Sequence, residues 1–339
     1  MKGIVCEEIN LMRMVELEEP TLTDGAAIVS IRRIGICGTD MHAYRGNQPF
    51  FSYPRFLGHE LSGFILEVND ESGQFQIGDQ VCIIPYMHCG VCIACRQGKT
   101  NCCTDMKVLG VHIDGGMRER ITIPTSHLIK TNGITLDQAV VLEPFSIGAH
   151  AVRRSDLQPG DVAVVIGGGP IGLGVMAIAK QRGATVIAMD INDERLTFCQ
   201  QWAKVDHTVN ALQQHKDQIA AITGGDYPIA VFDATGNSRS MTDAFSLVAH
   251  GGKLIYVGLV KADISFNDPE FHKREMTLMG SRNATKEDFD TVLDAIGSGH
   301  IDVNSFITHR APFDEMIDNF ESWLKPETQV IKAVVELLE

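Results

Sequence analysis

Nothing in this sequence of 339 residues suits a membrane or a nucleic-acid groove. No apolar run approaches the roughly 20 residues of a membrane-spanning helix. The start, MKGIVCEEIN, lacks the basic-then-apolar order of an export signal, so a cytoplasmic protein with reduced thiols is expected. Basic residues are outnumbered, 29 Lys and Arg against 43 Asp and Glu. The resulting net charge of -14 argues against phosphate backbones and anionic lipid as partners, while leaving a small anionic substrate open. A fixed-period repeat, a low-complexity tract and a long linker are all missing as well, which excludes a solenoid or a disordered chain.

What is present points to two globular domains, since the chain is too long for one ordinary core. The first third reads as short strands broken by turns, among them AAIVSIRRIG, ELSGFILEV and QVCIIP. From about Asp161 strands alternate with helices: DVAVVIG, PIGLGVMAIAKQRG, TVIAMD, NDERLTFCQQWAK, then IAVFDAT, SRSMTDAFSLVAHG, KLIYVGL and MTLMGSR. That alternation predicts an α/β fold with a parallel sheet covered on both faces, its apolar strands buried on each side. After a helix near Lys286–Ser298, the strand-like tail VIKAVVELL is expected to return to the first domain.

Gly167, Gly169 and Gly172 form G-x-G-x-x-G between the strand DVAVVI and the helix beginning near Pro170. The first glycine permits a tight turn, the second a close approach to pyrophosphate, and the third helix packing. Amides at the helix start then face the phosphates. The next strand ends in Asp190, where a carboxylate can bind both ribose hydroxyls of NAD and would repel the extra phosphate of NADP. Asp190 could instead cap the following helix.

Nine cysteines in a reducing compartment are better explained by metal than by disulfides. Cys89, Cys92, Cys95 and Cys103 offer four thiolates on one short loop, a closed tetrahedron for a structural zinc, with Cys102 a spare thiol. A second, dispersed set is Cys37 in GICGTD, His59 and Glu60 in GHE, and Glu143 in LEPFSIGAH. A mixed S, N and O set with an open position is what catalytic zinc requires. Taken singly, Cys37 and His59 read as core residues and the glutamates as solvated carboxylates; spacing alone does not join them.

GICGTDMHAYRG, YPRFLGHELSG, the four-cysteine lobe, VLGVHIDGGMRER, LEPFSIGAHA and VVIGGGPIGLG occur in that order. The set resembles the zinc-containing medium-chain dehydrogenase/reductase family, on its sorbitol and threonine dehydrogenase branch, nearly end to end. GNQPFFSYPR, SFNDPEFHKRE and MGSRNAT are similar to bacterial sugar-acid dehydrogenases of the L-galactonate 5-dehydrogenase type. The resemblance implies a GroES-like, mostly-β catalytic domain (1–148 and 287–339) and a Rossmann NAD-binding domain (149–286) of doubly wound parallel-sheet type, with the active site in the cleft between. It implies two zinc ions per chain and NAD. Catalytic zinc falls on Cys37 and His59 with Glu60 or Glu143 as alternatives for the third ligand; structural zinc falls on Cys89, Cys92, Cys95 and Cys103.

For the dinucleotide, the resemblance implies Gly167, Gly169, Pro170, Ile171 and Gly172 at the pyrophosphate, and Asp190 and Arg195 at the adenosine ribose. Val257, Gly258 and Leu259 would line the nicotinamide, with Ser281, Arg282 and Asn283 nearby. The implied reaction takes hydride from a secondary alcohol to nicotinamide C4, with Thr39 first to accept the hydroxyl proton and His42 passing it outward. A carboxylate on the substrate would need one of Arg45, Arg55, Arg118, Arg282 or Lys273, and Phe50, Phe51 and Tyr53 could wall its pocket. The other readings are a sorbitol-type polyol or L-threonine dehydrogenase, a zinc-free reductase of the same two-domain plan, and a zinc-ribbon binding module. A homodimer or homotetramer is implied by resemblance only.

Overall fold

A computed structural model describes residues 1–48 and 51–338. The chain divides into two compact units, one of residues 1–143 with the stretch from Val303 onward, the other of Pro144–Asp302. No helix among the described residues is long and apolar enough to cross a membrane.

The first unit is built on a seven-stranded sheet whose central strand is Ala26–Ile36. It pairs antiparallel with Glu60–Asn69 on one side and Lys332–Glu336 on the other, with Arg120–Pro124 also paired to its first half. Apolar residues on these strands (Val29, Ile31, Ile34, Leu61, Ile65, Val335) are withdrawn from water into one core. The tail therefore does return to the first unit, as its apolar pattern predicts. The register of the central strand sets Gly35 opposite Glu60 and Ile36 opposite Ala333.

The second unit holds six parallel strands in the spatial order His207–Asn210, Thr185–Asp190, Val162–Ile166, Ala230–Asp233, Lys253–Tyr256 and Thr277–Gly280. In chain order that is 3-2-1-4-5-6, the doubly wound arrangement that binds dinucleotides at the carboxyl ends of its strands. Val164, Val165, Ile187 and Val231 are fully buried, as strands covered on both faces must be.

Two details differ from the sequence reading. The units divide at 143/144 and 302/303, where the resemblance implies 148/149 and 286/287. The helix Lys286–Gly297 stays with the second unit because Asp288 on it is clamped by His150 Nδ1 at 2.8 Å and Arg153 Nε at 2.7 Å from the helix Leu142–Ser155. The segment SRSMTDAFSLVAHG is helical only over Ser238–Asp243, then tightens to a 3₁₀ turn at Ala244–Leu247.

Candidate metal centres and dinucleotide pocket

The four-cysteine lobe closes on itself. One ligand atom from each of Cys89, Cys92, Cys95 and Cys103 lies within 4.8 Å of the others. The Cys92 Sγ stands 3.4 Å from Cys95 Sγ and 3.9 Å from Cys103 Sγ, far beyond a disulfide. The edge of a tetrahedron with Zn–S near 2.3 Å is about 3.8 Å, so the donors fit zinc. Backbone N–H groups already serve the sulfurs: Cys89 N donates to Cys103 Sγ, Cys92 N to Cys89 Sγ and Asp105 N to Cys103 Sγ. Such bonds favour thiolate over thiol, and the Cys92 thiol is lowered to about 5, first by backbone hydrogen bonds. Cys102 is exposed and outside the cluster.

The dispersed set also assembles, in the first unit. Cys37 directly follows the central strand and caps the helix Gly38–Tyr44; its N–H donates to Asp40 Oδ2 at 2.9 Å. His59 and Glu60 lead into the neighbouring strand. One ligand atom from each of Cys37, His59 and Glu60 lies within 4.8 Å of the others. Gly35 is what leaves room, since a Cβ there would stand 2.0 Å from Glu60 Oε2. Glu143, in the first turn of Leu142–Ser155, is buried and accepts a hydrogen bond from Tyr86 OH, but is not in that close triplet.

Three groups here carry no signal that spacing could reveal. Lys332 is 1% exposed and donates to both oxygens of Glu60, at 2.7 and 2.8 Å, and to Ile36 O at 3.1 Å. Burial opposes its charge most strongly, but Glu60, Cys37 and Glu143 together outweigh it and its pKa is raised. Asp40, fully buried, has Oδ1 3.7 Å from His59 Nδ1, and that nitrogen has no hydrogen-bond partner. Tyr86 holds Glu143.

The electrostatics call for a cation. Asp40, Glu60 and Glu143 are 4% exposed or less, the Cys37 thiol stands beside them, and Lys332 is the only buried ammonium among the described residues. Burial raises the pKa of Asp40, and lifts Glu143 to about 7 with a further push from Glu60. For His59 burial works downward, yet the charges of Asp40 and then Cys37 carry it well above the ordinary imidazole value. Proton uptake is one way to offset so much buried negative charge; a divalent ion on a thiolate, an imidazole and a carboxylate would hold it instead. Thr39 is half-buried and His42 exposed, three residues apart and so on one face of the helix after Cys37.

In the second unit, Gly167 adopts φ +104°, open to glycine at little cost, and Gly169 caps the helix Pro170–Gln181 with free space around it. A Cβ on Gly172 would lie 1.8 Å from Gly167 O, the close helix packing expected of the third glycine. Pro170 and Ile171 form the first turn. A cavity of about 540 Å³ is lined by Gly167, Gly169, Asp190 and Arg195. Asp190 accepts from Gly168 N at 2.6 Å and Asn192 N at 2.9 Å; the helix cap is Asn192, not Asp190. Ile191, Leu212, His215, Asn237 and Arg239, which the sequence reading missed, line the same cavity.

Val257, Gly258 and Leu259 are not among the residues lining that cavity, nor are Ser281, Arg282 and Asn283. They follow the strands Lys253–Tyr256 and Thr277–Gly280 at the carboxyl edge of the sheet. Val257 N and Gly258 N donate to Asp233 O, and Ser281 Oγ is buried without a partner. Of the proposed cations, Arg45 donates to Leu324 O, Arg55 pairs with Asp114 at 3.3 Å and Lys273 with Glu270 at 3.6 Å. Arg118 lies over the Phe56 ring. Phe51 and Tyr53 meet edge to face at 4.8 Å, which favours packing between them; Phe50 lies outside the described residues.

An alcohol dehydrogenase GroES-like domain matches residues 23–133, and a zinc-binding dehydrogenase domain matches residues 170–298. The chain belongs to the zinc-containing medium-chain dehydrogenase/reductase family, whose members are oxidoreductases acting on CH–OH groups. It is 41% identical to the L-galactonate-5-dehydrogenase of Escherichia coli K12, over 99% of this chain and 98% of the relative. It is 32% identical, over 92% of each chain, to the 2-dehydro-3-deoxy-L-galactonate 5-dehydrogenase of Pseudoalteromonas atlantica. A solved structure, described as a short chain alcohol dehydrogenase (rspB) from Escherichia coli CFT073 complexed with cofactor NADH, is 30% identical with a TM-score of 0.92, covering 99% of both chains.

Proposed function

We propose that this protein is a cytoplasmic, zinc- and NAD-dependent dehydrogenase that oxidises the C5 hydroxyl of a sugar acid such as L-galactonate, giving D-tagaturonate. The observation that carries the substrate is the 41% identity, end to end, to an L-galactonate-5-dehydrogenase. NAD rather than NADP is supported by Asp190 at the end of its strand. Bound NAD⁺ would supply the hydride acceptor, so that alcohol and NAD⁺ would give ketone, NADH and H⁺.

Bound zinc supplies Lewis acidity, which makes a nearby secondary hydroxyl acidic enough to ionise near neutral pH. Cys37, His59 and Glu60 are its protein ligands in this reading, with Glu143, held by Tyr86, the alternative carboxylate. Asp40 orients the His59 ring, and Lys332 fixes Glu60. Thr39 Oγ1 takes the substrate proton first, and the exposed His42 ring hands it to solvent. The lobe of Cys89, Cys92, Cys95 and Cys103 carries the second zinc and a structural role. Gly167–Gly172, Asp190 and Arg195 hold the adenosine diphosphate portion, and Val257–Leu259 with Ser281–Asn283 complete the nicotinamide side.

A panel of aldonates and polyols assayed with NAD and NADP tests the proposal. Reduction of NAD by L-galactonate, with NADP poorly used, is the expected result; turnover of sorbitol or L-threonine but no aldonate would overturn the substrate. A homodimer or homotetramer completes the reading, and light scattering checks it.

A further inference from the structure

The dispersed centre has one carboxylate more than an open metal site can use. Cys37, His59 and Glu60 already offer a sulfur, a nitrogen and an oxygen within 4.8 Å of one another. A fourth protein donor would complete a tetrahedron and leave no position for a substrate oxygen, which is the condition of the four-cysteine lobe. Glu143 is the donor that could do this. It is buried in the same unit, and its charge acts on His59 and on Lys332. It nevertheless stays outside the close set, and its Oε1 accepts a hydrogen bond from Tyr86 OH. Tyr86 is itself buried and firmly held. Its strand Tyr86–Met87 pairs antiparallel with Lys107–Val108, Tyr86 lying opposite Val108, and Pro85 O accepts from Leu109 N at 3.0 Å. The lobe of residues 89–103 closes the far end of this two-stranded ribbon.

We propose that Tyr86 is a positioning residue: its hydroxyl holds Glu143 out of the coordination sphere and so keeps the fourth position open. This rests on the reading of Cys37, His59 and Glu60 as ligands given above. The two glutamates are restrained differently. Glu60 is gripped at both oxygens by Lys332 and remains in the close set, whereas Glu143 is drawn aside by a neutral donor on a separate ribbon. A buried carboxylate is costly without a donor or a cation. The phenol supplies the donor; once it is removed, a bound ion becomes the stronger partner for Glu143.

Protein carrying zinc in the lobe and cobalt at the dispersed centre tests this by visible absorption, without turnover. Imidazole added to the wild type should take the open position and shift the cobalt bands. Tyr86→Phe should bind imidazole about tenfold more weakly and hold cobalt about tenfold more tightly in a chelator competition, because Glu143 now fills the position. Tyr86→Phe/Glu143→Leu should return both affinities to the wild-type level, a rescue that damaged packing would not give, while zinc retained in the lobe reports an intact ribbon. Glu143→Leu with Tyr86 in place should hold cobalt as the wild type does; a tenfold loss there would show Glu143 already on the ion and overturn the assignment. Unchanged imidazole binding in Tyr86→Phe would overturn it too, leaving the metal reading standing. Failure of the wild type to bind cobalt at the dispersed centre would overturn both.

Discussion

The two candidate metal centres are built in opposite ways. The four-cysteine lobe takes every donor from residues 89–103, and its own backbone N–H groups stabilise the sulfurs. The Cys37, His59 and Glu60 centre depends on two neighbouring strands in register, and its charge balance depends on Lys332, 272 residues from Glu60. Local chain geometry specifies the first. Tertiary pairing specifies the second, together with a buried cation that sequence spacing does not announce.

If that contrast holds, damage to the two centres should separate. The largest effect is expected from Cys37→Ser or His59→Ala, with turnover falling by on the order of 10³-fold or more while ADP-ribose binding persists. Zinc content should drop from two ions per chain to one, and Cys95→Ser should remove the other ion. Full turnover in protein stripped of metal would defeat the whole scheme. Next comes Lys332→Met, which leaves Glu60 buried without its cation. Urea unfolding of the zinc-free protein should show a loss of about 3–5 kcal/mol, most of it recovered in Lys332→Met/Glu60→Gln.

A milder change is expected from Asp40→Asn, which keeps the shape but removes the charge facing His59. Zinc affinity in a chelator competition should weaken by about 10–100-fold at the dispersed centre and not at the lobe. The smallest effect concerns acid. Burial, helped by nearby His88, lowers the pKa of His127 to about 4. Its folded value lies below its unfolded one, so its stability contribution is complete above the ordinary imidazole range and is lost as the pH falls through that range toward 4. Melting curves at pH 7 and pH 5 should differ by about 1–2 kcal/mol more in the wild type than in His127→Phe.

The same contrast explains how much could be read in advance. The lobe was legible because all its donors fall within one loop, and the glycine loop because strand, glycines, helix and Asp190 follow in order. Even there, Asn192 takes the capping role open to Asp190, whose carboxylate is engaged two residues earlier by the Gly168 N–H. Cys37, His59 and Glu60 stand out by donor type, but only the family resemblance joins them, and the register Gly35 to Glu60 is the physical reason they meet. Asp40 stood in plain sight inside GICGTD, but what matters about it is its place beside a ring that enters from another strand. Lys332 looked like any lysine in an apolar tail. Only the sheet shows that it is buried, and why a charge is tolerated there.

That tail has a consequence for biosynthesis. Strand Ala26–Ile36 leaves the ribosome early, yet its neighbour Lys332–Glu336 emerges only after the entire Pro144–Asp302 unit has been translated. Through that interval one flank of the nascent sheet is without its native neighbour and Glu60 without its counter-charge, whereas the nucleotide-binding unit already has its full complement of strands. Vectorial synthesis thus favours maturation of the middle of the chain before its beginning. A pause or truncation shortly before Lys332 would release a polypeptide with all six strands of its parallel sheet but with an unfinished, aggregation-prone first unit.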